Sequence, residues 1–131
     1  MNPQTTFNYV WTTPCESHEG HASSISEALA ILSQASGSPT MVEFFDPASG
    51  LAIALGVGTA ASVVTFQESN DPPYYISLGD HSASGVLEFV YGNEPTEYLA
   101  RNAVSNEAAR GALDWFFKNG SRSTLFPWES L

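Results

Sequence analysis

The chain has 131 residues, the length of one domain spanning 1–131, and 14 acidic residues against four basic ones give it a formal net charge of −10. Such a surface repels phosphate and lacks the Lys and Arg that counterion release requires, which argues against direct nucleic-acid binding. It favours a basic protein partner, because opposite potentials speed encounter.

Phe7-Asn8-Tyr9-Val10-Trp11-Thr12-Thr13 is rich in aromatic and β-branched residues and predicts a first strand. Residues 14–22 read as a polar loop. Ser24-Ile25-Ser26-Glu27 has the spacing of a capping box. Ile25, Ala28, Leu29, Leu32 and Ala35 then recur at helical period up to Gly37, predicting a helix over 25–36. Six short strands follow, near 41–45, 51–55, 61–66, 74–78, 86–91 and 96–100. Turn signals separate them: Asp46-Pro47, Gly56-Val57-Gly58 read as a hairpin turn, Asp71-Pro72-Pro73, Gly79-Asp80 and Gly92-Asn93. No helix intervenes, so the strands should pair as an antiparallel meander. Ser105 is a plausible N-cap for a second helix over 106–118, which ends at the Asn119-Gly120 cap signal. Its small residues come early and its aromatics late, so one end should pack close to the sheet and the other wedge into it. The expected class is α+β, an antiparallel β-sheet meander packed against two main α-helices on one side.

The composition is 43% hydrophobic with three Trp, five Tyr and eight Phe, enough for a core and against disorder. One cysteine, Cys15, forms no intramolecular disulfide and fits a reducing compartment. Met1 to Trp11 lacks a basic stretch followed by an apolar one. The weakly polar run Leu51 to Phe66 is interrupted by Gly56, Gly58, Thr59 and Ser62 and is too short to span a bilayer. A cytoplasmic protein without a membrane partner is the expectation.

Cys15-x-x-His18-x-x-His21 is the one cluster with metal-ligand chemistry, with Glu16 or Glu19 as further oxygen donors. Its spacing matches no two-knuckle zinc motif, so no metal and no cofactor are expected. Asp80-His81 reads as a turn, not an acid–base pair. No Gly-x-Ser-x-Gly elbow occurs, nor a His-x-Glu with a downstream Pro-Cys-x-x-Cys, so catalytic residues are not expected. What remains is an acidic, aromatic surface. Asp71, Tyr74, Tyr75, Asp80, Glu94 and Glu97 are the candidate partner-binding residues, with Glu68 and Tyr98 nearby. Adjacent strand residues point to opposite sides, so one of Tyr74 and Tyr75 should face the core. Trp128 reads as a structural plug.

The last third runs Gly79-Asp80-His81-Ser82-Ala83-Ser84-Gly85, then Val86 to Gly92, Ala100-Arg101-Asn102-Ala103-Val104, the second helix, Asn119-Gly120-Ser121-Arg122-Ser123 and Pro127-Trp128-Glu129-Ser130-Leu131. This resembles the Imm1 family of bacterial immunity proteins, over residues 39–131 and most clearly from 74 onward. Within that family it looks most like the immunity partners of cytosine-deaminase toxins. The resemblance implies a protein without chemistry of its own that occludes a cognate toxin domain in a 1:1 complex. The implied toxin is a zinc-dependent deaminase acting on DNA, whose groove should be basic to hold its substrate. The resemblance does not assign toxin-contacting residues; those named above rest on charge and exposure. Plugging of the active site and steric block outside it both remain open. The alternative from another class is an acidic secretion chaperone that holds an effector's extended segment, usually as a homodimer. A third is an enzyme using Cys15 and the nearby histidines.

Overall fold

A computed structural model describes residues 6–131; the first five residues of the Met1–Trp11 stretch lie outside the described residues. In chain order the elements are β1 (Phe7–Thr12), β2 (Ser17–Ala22), α1 (Ile25–Ala35), β3 (Thr40–Phe45), β4 (Ala52–Val57), β5 (Val64–Gln67) and β6 (Tyr74–Ser77). Then come β7 (Val86–Tyr91), β8 (Glu94–Leu99), a 3-10 turn (Ala100–Asn102), α2 (Asn106–Asn119) and β9 (Trp128–Ser130). The sheet order is β2-β1-β3-β4-β5-β6-β9. The expected meander holds for β3 to β6, whose successive pairings are all antiparallel.

Three parts of the topology differ from the expectation. The segment read as a polar loop contains β2, which pairs with β1 over six residues, from Phe7↔Ala22 to Thr12↔Ser17. Its composition is poor in strand formers; β1 supplies the hydrogen bonds and the apolar cover. The Trp11 and His18 rings stack at 3.9 Å, and the Tyr9 ring sits where a Cβ on Gly20 would come within 2.8 Å of it. Second, β7 and β8 leave the meander. They pair with each other, and β7 touches the main sheet through one parallel bridge, Thr40↔Val90. Third, the strand expected near 96–100 starts two residues earlier and spans Glu94–Leu99, so Glu94 lies on it together with Glu97 and Tyr98.

Both helices form as their caps and periodicity predict. Ser24 Oγ accepts from the Glu27 N–H at 3.1 Å, and Glu27 Oε1 accepts from the Ser23 N–H at 3.1 Å. Ser105 Oγ accepts from the Ala108 N–H at 3.0 Å. Gly120 adopts φ 64° and its N–H closes the helix on the Phe116 carbonyl at 2.8 Å. Their apolar stripes cover one face of the sheet. Ala109 and Ala112 let the start of α2 approach closely, while the fully buried Phe116 wedges between Phe7 and Phe66, with ring centroids 4.6 and 6.2 Å away.

The opposite face is covered by the β7–β8 hairpin. Met41, Ala54, Val63, Ile76 and Phe89 form a second core there. Gly56, expected in a hairpin turn, lies inside β4 opposite Met41; a Cβ there would come within 2.5 Å of the Phe89 ring. The missing side chain is what admits the hairpin. Gly92 and Asn93, at φ 60° and 69°, make its turn, and the Asn93 N–H donates to Thr12 Oγ1 at 2.8 Å. The sheet is thus sandwiched between two helices and one hairpin.

Candidate functional site

The six sequence-predicted residues do not gather into one patch. Asp71 is exposed in the β5–β6 loop. Asp80 is exposed in a turn after β6, where its Oδ1 accepts from the Ser82 N–H at 2.9 Å and the Ser82 hydroxyl at 2.6 Å; these bonds hold its carboxyl below the usual range. Tyr74 and Tyr75 point apart, as strand alternation requires. Tyr75 packs on the helix-side core, with the Arg122 guanidinium carbon 3.7 Å above its ring. Tyr74 pairs with Gln67 on the hairpin side, and its hydroxyl donates to the Asn70 carbonyl at 2.5 Å. Glu94 and Glu97 are exposed on β8. Directly opposite residues share a face, so Glu97 stands beside Glu88 of β7 on the hairpin's outer side. Val86, 56% exposed, and Leu99, 50% exposed, form the next apolar pair on that side.

Between the hairpin and the sheet lies a pocket of about 240 Å³. Thr65, Gln67 and Tyr74 border it from the sheet, Tyr91 and Tyr98 from the hairpin, and Glu43 from β3. The Tyr91 hydroxyl donates to Glu43 Oε2 at 2.6 Å. Burial, then the charge and hydrogen bond of Glu43, push the Tyr91 phenol far above its ordinary value. Burial alone raises Tyr98 to about 12. Glu43 and Tyr91 were not among the sequence candidates. The one legible signal was a carboxylate inside the otherwise apolar strand Met41-Val42-Glu43-Phe44-Phe45.

These phenols have a consequence for stability. The fold favours their neutral form, so their contribution is complete below the ordinary tyrosine range, about pH 10. For Tyr98 it is lost as pH rises toward about 12. Denaturant melts should therefore weaken progressively above about pH 10, and Tyr98→Phe should flatten that decline. An identical alkaline decline in the variant would contradict this.

Charge is distributed unevenly. The four cations, Arg101, Arg110, Lys118 and Arg122, all follow residue 100. Arg101 pairs with Glu129 at 3.2 Å, Lys118 with Asp114 at 3.0 Å, and Arg122 covers Tyr75. Arg110 borders a larger groove, about 580 Å³, between α1, α2 and the β4–β5 connection. Among the described residues none of these cations pairs with Glu43, Glu88, Glu94 or Glu97.

The Cys15, His18 and His21 cluster is split by β2. His18 lies on the helix side, stacked on Trp11 with its Nε2 3.0 Å from Glu16 Oε2. His21, three residues along the strand, lies on the other side, and Cys15 is exposed in the preceding turn. Among the described residues no group of three or more His, Cys, Asp and Glu side chains is placed to hold a metal ion. No helix among them is long and apolar enough to cross a membrane.

Trp128 is half-buried against Phe66 and Phe126, and its indole N–H donates to the Ser123 carbonyl at 3.0 Å, so it is part of the architecture. Glu129 accepts from Asn102 Nδ2 at 2.7 Å besides pairing with Arg101. The family model described as immunity protein Imm1 matches residues 18–130, starting well before residue 39 and taking in β2 and α1. No curated protein matches the chain.

Proposed function

We propose that this chain, which belongs to the Imm1 family of immunity proteins, neutralises a basic toxin that acts on nucleic acid, specifically a zinc-dependent DNA cytosine deaminase. Family membership carries the reading of an immunity protein against a bacterial toxin. The charge distribution supports the basic partner: 14 carboxylates against four cations, with β7 and β8 carrying carboxylates and no cation. A groove built to hold a nucleic-acid backbone presents the complementary potential. The protein then works as a stoichiometric 1:1 inhibitor in the cytoplasm, a single domain whose carboxylates lie where substrate phosphates would run. It carries out no turnover itself.

The outer side of the hairpin fits such an encounter. Glu88 and Glu97 face each other across the strands, and like charges so placed weaken the free sheet. A cation from the partner relieves that repulsion. Replacing both with Gln should slow association about tenfold at low salt and flatten its salt dependence, while dissociation changes little. The same should hold, more weakly, for Asp71, Asp80 and Glu94. The primary test is a deamination assay on single-stranded DNA with the toxin domain encoded beside this gene. One equivalent of the immunity protein should abolish turnover, and co-expression should rescue growth. Full toxin activity at several-fold molar excess of the protein would overturn the reading.

A further inference from the structure

We propose that the pocket between the sheet and the β7–β8 hairpin receives one arginine or lysine side chain of the toxin, held over tyrosine rings against the Glu43 carboxylate. This rests on the immunity reading above. Three observations carry it. The pocket, about 240 Å³, is smaller than the roughly 300 Å³ at which drug-sized ligand sites begin, and suits a single side chain. Its border combines Tyr74, Tyr91 and Tyr98 with Glu43, and aromatic faces with a carboxylate attract a cation and repel an anion. Glu43 has one hydrogen-bond partner among the described residues, the Tyr91 hydroxyl on Oε2, and no cation.

The Tyr91 bond also orients the site. Its phenol is held neutral by burial and by Glu43, so it remains a donor and fixes the carboxylate while Oε1 stays available to an incoming N–H. A guanidinium can donate to that oxygen and lay its plane on a tyrosine ring. The protein itself shows this chemistry across the same strand, where Arg122 covers Tyr75 at 3.7 Å. The larger groove beside α1 and α2 is the wrong receptor for a cation, because its charged border residue is Arg110.

Glu43→Gln removes the charge and keeps an acceptor for Tyr91, so the fold should persist. Two measurements test the proposal. The first follows the tyrosine ring signals of the free protein by NMR during titration with N-acetyl-arginine methylamide, against the neutral citrulline analogue. Saturable shifts with the arginine probe alone, lost in Glu43→Gln, are expected. The second measures affinity for the neighbouring toxin domain, where Glu43→Gln should raise Kd at least thirtyfold, mostly through faster dissociation. Wild type and Glu43→Gln binding the toxin equally would overturn the pocket while leaving the immunity function standing. Arginine-probe binding without any toxin complex would overturn the immunity reading, and with it the toxin as the occupant.

Discussion

Phe89→Ala is expected to destabilise the protein by about 3–5 kcal/mol, the range for truncating a buried Phe. Phe89 is fully buried, its ring lies 6.1 Å from that of Tyr98, and it fills the space left open by Gly56. The loss should be felt first in the hairpin. In the sheet pairing, β7 meets the main sheet at one bridge, so beyond a few hydrogen bonds such as Tyr91 to Glu43 and Asn93 to Thr12, side-chain packing holds the pair against it. Hydrogen exchange over Val86–Leu99 should accelerate more than over β3 to β6. Gly56→Val attacks the same contact from the other side by overfilling it, at about 1–3 kcal/mol. The double variant should cost less than the two single costs together, because the valine enters the space that Phe89 vacates. Urea melts of the four proteins measure this coupling. A Phe89→Ala cost below about 1 kcal/mol, or strictly additive effects, would show that the hairpin is held some other way.

The same contact shows how far the sequence could be read. Most strand positions, both helices and their caps were legible, because they follow from local periodicity and from Ser24, Glu27, Ser105 and Gly120. Alternation correctly separated Tyr74 from Tyr75. The strand order was not legible. Gly56 in Leu55-Gly56-Val57-Gly58 looks like turn chemistry until Phe89, far along the chain, is placed on top of it. Likewise Ser17–Ala22 has no strand-forming composition of its own and becomes a strand by docking on β1. The candidate site was partly legible for the same reason. Tyr74 stands out in the sequence as an aromatic beside a polar loop, whereas Glu43 looks like an ordinary strand residue until the hairpin brings Tyr91 and Tyr98 over it.

The second large effect is expected at Asn102, whose replacement by Ala should cost about 3 kcal/mol. Asn102 is 4% exposed. Its Nδ2 donates to the Ser77 carbonyl at 2.9 Å and to Glu129 Oε1 at 2.7 Å. Its own backbone carbonyl accepts from the Ser77 hydroxyl at 2.7 Å, and Ser77 Oγ accepts from the Val64 N–H at 3.0 Å. One side chain thus ties the 3-10 turn to β6 and β9, and Arg101 closes the other oxygen of Glu129. Alanine leaves a buried carbonyl and one oxygen of a half-buried carboxylate without their donor, each loss worth about 1–3 kcal/mol. Asn102→Asp should be worse at neutral pH, since it sets a second carboxylate against Glu129. Repulsion and burial raise the folded-state pKa of the new Asp, so the variant should regain stability as pH falls toward about 4. Glu129→Gln should largely rescue Asn102→Asp by removing the opposing charge. The tail pattern of Trp128 and Glu129 is thereby explained as a clamp that fixes β9 to the sheet edge beside Tyr74 and Tyr75. Urea titrations of the single and double variants at two pH values decide it. A wild-type midpoint for Asn102→Ala would release the tail from that role.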